Sequence, residues 1–91
     1  MGERYLLPAR LDLSASTALA SDLTGRLDAD LTLDAGEVTQ IGALCTQVIA
    51  AAAISLRENG HSLTLANAPD RVVDQLGNLG FTPESLAEVG A

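Results

Sequence analysis

The stretch at residues 31–56, LTLDAGEVTQIGALCTQVIAAAAISL, constrains the fold more than any other part of this chain. A strand-like run, Leu31-Thr32-Leu33, stops at Asp34. A short loop and a second apolar segment, Val38 and Ile41, follow. Gly42-Ala43 then opens a long apolar helix. A strand that hands over to a helix places a helix N-terminus and a small-residue surface at the end of a sheet. Function in α/β folds gathers at such junctions. This one holds no catalytic group, so it reads as a binding surface.

The rest of the chain repeats the alternation. Tyr5-Leu6-Leu7 reads as a strand, held near an edge or an end by Pro8. Ala9 to Leu13 continues as extended chain, with Leu11 and Leu13 pointing one way and Asp12 the other. Ser14 or Ser16 suits an N-cap. Leu19, Leu23 and Leu27 then recur at helical spacing with Ala20 beside them, and Asp22 and Arg26 form an i, i+4 polar pair. Gly25 weakens this helix slightly.

At about 100° per residue, Cys45, Val48, Ile49, Ala52 and Leu56 form the core face of the middle helix. Ala43, Gln47, Ala50, Ile54 and Arg57 fall opposite. Asn59-Gly60 ends it, with Gly60 free to take positive φ. Residues 62–66 alternate as a strand. Asn67 caps the next helix and Pro69 fits its first turn. Its buried stripe is Val72, Leu76 and Leu79, and Gly80 stops it. Phe81 anchors a turn into a last short helix from Thr82-Pro83-Glu84, with Leu86 and Val89 apolar. The order strand, helix, strand, helix, strand, helix, helix predicts one α/β domain over residues 1–91. Its sheet should be small and mixed, with helices mainly on one face.

Composition excludes several functions. The net charge is −7, from 12 acidic and 5 basic residues. That field repels nucleic acid and anionic membrane surfaces and suits basic or neutral protein partners. With 2% aromatic content and no Trp, the core must be built from Ala, Leu and Val. No leader-like apolar region precedes the first charges, and the apolar run at 41–56 is too short and too polar to span a bilayer. A cytoplasmic protein without direct membrane insertion is expected.

The lone Cys45 reads as a small buried hydrophobe, and the lone His61 as a surface turn residue. Asp12, Asp34 and Asp70 read as caps and solvated loop groups rather than metal ligands, since no third ligand can be placed beside Asp12 and Asp34. Gly42 at a helix start is a weak anion signal without a Gly-rich loop or a following Lys. No Ser/His/Asp spacing, HExxH, P-loop or CxxC is present, so no enzyme, cofactor or metal is expected.

Three places carry a family resemblance. Arg10-Leu11-Asp12-Leu13-Ser14 is similar to G-x-L-D-x-S. The run from Leu33-Asp34-Ala35 to Ile41 is similar to L-D-L-S-x-V-x-x-I. The helix–Gly60–strand–helix–Gly80-Phe81 tail completes the order. Together they resemble the STAS domain, the fold of bacterial anti-sigma-factor antagonists. The resemblance implies a regulatory protein-binding module. Antagonists carry Asp-Ser-Ser-Gly after that Ile, and a partner kinase phosphorylates the first Ser. Here the positions read Gly42-Ala43-Leu44-Cys45, so Ala43 stands at the acceptor place and no phosphorylation is expected there. Thr39 and Thr46 lie nearby but off that place.

The string I-G-A-L-C-x-Q-V at 41–48 also resembles short STAS proteins of alphaproteobacterial chemotaxis clusters, thought to act on the chemotaxis histidine kinase. The expected partner surface is Gly42, Ala43, Leu44, Gln47, Ala50 and Ile54, where the family's partners dock. Small side chains allow close approach there, one amide gives direction, and Ile54 adds apolar area. The partner implied is a histidine kinase. The alternatives are an anti-sigma kinase met by an antagonist with a degenerate switch, or a lipid-transport ATP-binding-cassette complex with this chain as its small STAS subunit. The same face would also serve a homodimer.

Overall fold

The computed structural model describes residues 2–89. Among them, five short strands alternate with four helices: β1 (Glu3–Leu6), β2 (Arg10–Leu11), α1 (Ser16–Thr24), β3 (Leu31–Asp34), β4 (Gln40–Ile41), α2 (Ala43–Glu58), β5 (Leu63–Ala66), α3 (Asp70–Asn78) and α4 (Pro83–Ala87). The expected α/β architecture is present. Its strands pair in the order β1-β3-β5, with β2 and β4 forming a second ladder. Every pair among the described residues is parallel, so the sheet is parallel rather than mixed. Parallel neighbours need crossover connections, and the intervening helices supply them.

Register divides the main sheet into two faces. Glu3, Leu31 and Leu63 share one row, and Tyr5, Leu33 and Leu65 another, both on the helix side. Leu31 and Leu33 are fully buried there. The opposite face carries the rows Arg4, Thr32, Thr64 and Leu6, Asp34, Ala66. Alternation at period 2 therefore turns Leu31, Leu33, Leu63 and Leu65 toward the helices and Arg4, Thr32, Thr64 and Asp34 away from them. Helices α1 and α2 pack together, and α4 closes over β5 and α2. The core they seal is built from Leu, Ile, Val and Ala with Cys45.

Several local expectations are corrected. Leu13 does not follow Leu11 inward, because the chain tightens into a 3-10 turn at Leu13–Ala15 and leaves Leu13 75% exposed. Asp12, not Ser14 or Ser16, caps that turn. Its carboxylate accepts from the Ala15 N–H and the Ser14 hydroxyl. Ser16 is the first residue of α1 and donates to the Leu13 carbonyl. Asp22 and Arg26 do not pair with each other. The Tyr5 hydroxyl donates to Asp22 at 2.8 Å, Arg26 lies 5.0 Å over the Tyr5 ring, and Arg26 reaches Glu3 at 3.6 Å. Tyr5 thus takes both partners and ties β1 to α1.

Asn67 does not cap α3. Pro69 is the residue before the helix and gives it no side-chain cap. Asn67 sits at φ 61°, a left-handed conformation that Asn tolerates, and donates its amide to Asp34. That turn sends the chain out of β5. Gly60 takes φ 82° and Gly80 φ 88° where their helices stop, as helix-ending glycines do.

Candidate functional site

Helix α2 begins at a junction assembled from both ladders. The Gly42 N–H donates to the Leu11 carbonyl at 2.9 Å, which fixes the residue before the helix against β2. Gly42 contributes no side-chain cap, so the first amides of α2 find no side-chain partner there. Cys45, one turn in, donates its thiol to the Asp12 carbonyl at 3.2 Å. Burial and the nearby Asp12 carboxylate push that thiol pKa up, so Cys45 is a packed, unreactive group.

The burial around α2 follows the sequence wheel with one difference. Cys45, Ile49, Ala52 and Leu56 are buried as expected, and Val48 is half-buried. Thr46 and Ala53 are buried as well. The sequence wheel did not bury them. Thr46 is 1% exposed, and its hydroxyl donates back to the Gly42 carbonyl at 2.8 Å. Thr39 is exposed and donates to the Ala9 carbonyl at 3.1 Å. Ala43, exposed in the first turn, has no hydroxyl.

The outward residues share one side of the helix. Ala43, Leu44, Gln47 and Ile54 are exposed, and Gly42 and Ala50 are half-buried. Leu44 keeps 42% of its surface and Ile54 39%. Arg57 is drawn off this side, since it is half-buried and donates to the Ala87 carbonyl at the end of α4. Beside the stripe, Ala43, Thr46 and Gln47 line a shallow groove with Leu79 and Phe81. Leu79 was expected in the α3 core stripe, but it is 37% exposed and serves as a wall of this groove. It is the last residue before Gly80 turns the chain, so its side chain lies past the covered part of α3.

The carboxylates take local roles. Asp34 accepts from the Gly36 N–H, the Asn67 amide and Arg4. These bonds hold its pKa below the usual carboxylate range, the Gly36 amide most of all. The Ser14 hydroxyl does the same for Asp12. Asp70 opens α3, where a negative charge suits the helix dipole. His61 lies 3.7 Å from the Asp30 carboxylate. No group of three or more His, Cys, Asp or Glu with metal-site geometry occurs among the described residues. No helix there is long and apolar enough to cross a membrane.

One residue at this junction escaped the sequence reading. Gln75 of α3 accepts from the Ile41 N–H at 2.7 Å and donates toward the Thr39 carbonyl at 3.5 Å. The available signal was its position three residues after Val72. That spacing puts an amide on the core side of a helix, where an apolar residue is the norm.

No curated protein matches this chain. The family model described as Mlab, STAS domain, does match, over residues 7–83, a span that begins just after β1 and ends at the first residue of α4. With the β2–β4 and β3–β5 ladders and the strand-to-α2 junction lying inside it, the chain belongs to the STAS domain family.

Proposed function

We propose that this domain is a non-enzymatic regulatory module that binds a protein partner through the outer side of α2, with Gly42, Ala43, Leu44, Gln47, Ala50 and Ile54 as the contact. One observation carries the reading. In a chain of net charge −7, residues 43–56 contain no charged residue, and their outward side keeps Leu44 and Ile54 in solvent. A helix side that only faces water is ordinarily charged or polar. STAS domains commonly bind proteins, which agrees with this use of the surface.

The partner proposed is a chemotaxis histidine kinase in a bacterial cytoplasm. Its support is the resemblance of residues 41–48 to chemotaxis-associated STAS proteins. Binding is constitutive or gated by something other than phosphate at Ala43. The hydroxyl of Thr46, buried and bonded to Gly42, gives a kinase no access in this conformation. A second reading, the permanent small subunit of a lipid-transport ATP-binding-cassette complex, is favoured by the same exposed Leu44, because lasting interfaces are the more apolar ones.

Cross-linking pull-down from the native cells, read by mass spectrometry, separates these readings. A histidine kinase joined through α2 supports the proposal. An ATPase subunit moves the domain to the second reading, and an anti-sigma kinase would mark an antagonist with a degenerate switch. Cross-links confined to the uncovered sheet face would remove the docking site from α2. In titration calorimetry with the captured partner, Ala43→Glu is expected to weaken binding about tenfold or more, as bulk and charge enter a close contact. Unchanged affinity would count against the proposed contact.

A further inference from the structure

We infer that Gln75 is a positioning residue for the docking side of α2, acting as a substitute third strand beside β4. This rests on the docking reading above and adds what holds that surface in place. The chain runs from β1 through Pro8 into β2, and from β3 through the loop into β4, so the second ladder continues the first. The third strand does not continue. The last bond of β5 is the Ala35 N–H to the Ala66 carbonyl, and Asn67 then turns the chain away.

The far edge of β4 is therefore left without a backbone partner. Gln40 and Gly42 direct their N–H groups to Ala9 and Leu11 on the β2 side. The Ile41 N–H points the other way, and Ile41 is buried, so an unmet donor there would be costly. Gln75 meets it. In a parallel ladder, one residue accepts from the N–H after its neighbour and donates to the carbonyl before it. The Gln75 carboxamide does the same around Gln40, accepting from Ile41 and donating to Thr39. The 2.7 Å arm is the strong one and the 3.5 Å arm the weak one.

Ile41 is followed directly by Gly42 and the first turn of α2. Helix α3 thereby fixes where Ala43 and Leu44 stand. Hydrogen exchange read by NMR on the full chain tests the clamp without a partner. Methionine at this position keeps the length of the side chain and loses both hydrogen bonds, whereas glutamate keeps the acceptor for Ile41. With Gln75→Met, the Ile41 amide is expected to exchange about tenfold faster or more, while Leu33 and Ile49 keep their protection. With Gln75→Glu, Ile41 should stay nearer the wild-type rate. A packing role alone gives the reverse order, since Met is the better filler.

Wild-type protection of Ile41 in Gln75→Met, or faster exchange in Gln75→Glu than in Gln75→Met, would overturn the clamp. Capture of the cross-linked partner should fall severalfold in Gln75→Met. Undiminished capture would overturn the positioning role. If Gln75→Met loosens Ile41 while Ala43→Glu leaves partner affinity unchanged, the clamp stands and the docking reading fails.

Discussion

Helices α2 and α3 meet the same junction but dress their outer sides differently. Helix α3 presents Arg71, Asp74 and Asn78 to water over the buried Val72 and Leu76. Helix α2 presents Ala43, Leu44, Gln47 and Ile54 over the buried Cys45, Ile49, Ala52 and Leu56. Both inner sides obey the same demand for burial, so the contrast lies outside. The chain can make a charged outer side, as α3 proves, and residues 43–56 of α2 go without one. Core packing does not require that choice, and the proposed partner contact would account for it.

The contrast breaks most sharply through paired truncations. Ile49→Ala opens a cavity in the core and is expected to cost about 2–5 kcal/mol in urea unfolding. Ile54→Ala, five residues on, should stay within about 0.5–1 kcal/mol because its side chain is already partly in water. A similar loss at both sites would show that the outer side is packed in solution.

A smaller effect separates the helix starts. Helix α4 opens with a capping box in which Thr82 and Ser85 bond each other's backbone N–H. Thr82→Ala should cost about 1 kcal/mol by the same unfolding measurement. Helix α2 starts on Gly42, whose φ of −105° suits any residue and whose missing Cβ would meet only the Leu11 carbonyl, at 3.7 Å. Gly42→Ser should therefore stabilise by a few tenths of a kcal/mol, a gain that thermal unfolding resolves. Loss of stability instead would mean that close approach at this position matters within the monomer.

The gentlest perturbation is acid. Asp34 and Asp12 have folded pKa values below their unfolded ones. Their support is present above the unfolded carboxylate pKa and is lost as pH falls through the folded value. Unfolding midpoints should therefore drop below about pH 4, and Asp34→Asn should flatten the drop. An unchanged slope in Asp34→Asn would place the acid sensitivity elsewhere.

Periodicity made most of this molecule legible. The spacing of Leu19 and Leu23, the alternation around Leu31 and Leu33, and the glycine stops at Gly60 and Gly80 all fix elements by local physics. The misses share a cause. Leu13, Asn67 and Leu79 sit where one element gives way to the next, and turn geometry overrides the period there. Thr46 and Ala53 are buried by tertiary packing, as where Thr46 meets Leu79 and Phe81, and no helix wheel contains such contacts. Gln75 is legible only as an oddity, because its partner is a backbone N–H 34 residues away.

The tie between Tyr5 and α1 gives the protein an optical gauge. There is one tyrosine and no tryptophan, so near-ultraviolet emission comes from this phenol. Its hydroxyl donates to the Asp22 carboxylate, so its emission is expected to change when the first strand leaves the first helix. Partial burial and the Asp22 carboxylate also push the phenol's pKa upward. The bond therefore holds through neutral pH and lets go in alkali, as the ring ionises and two anions face each other.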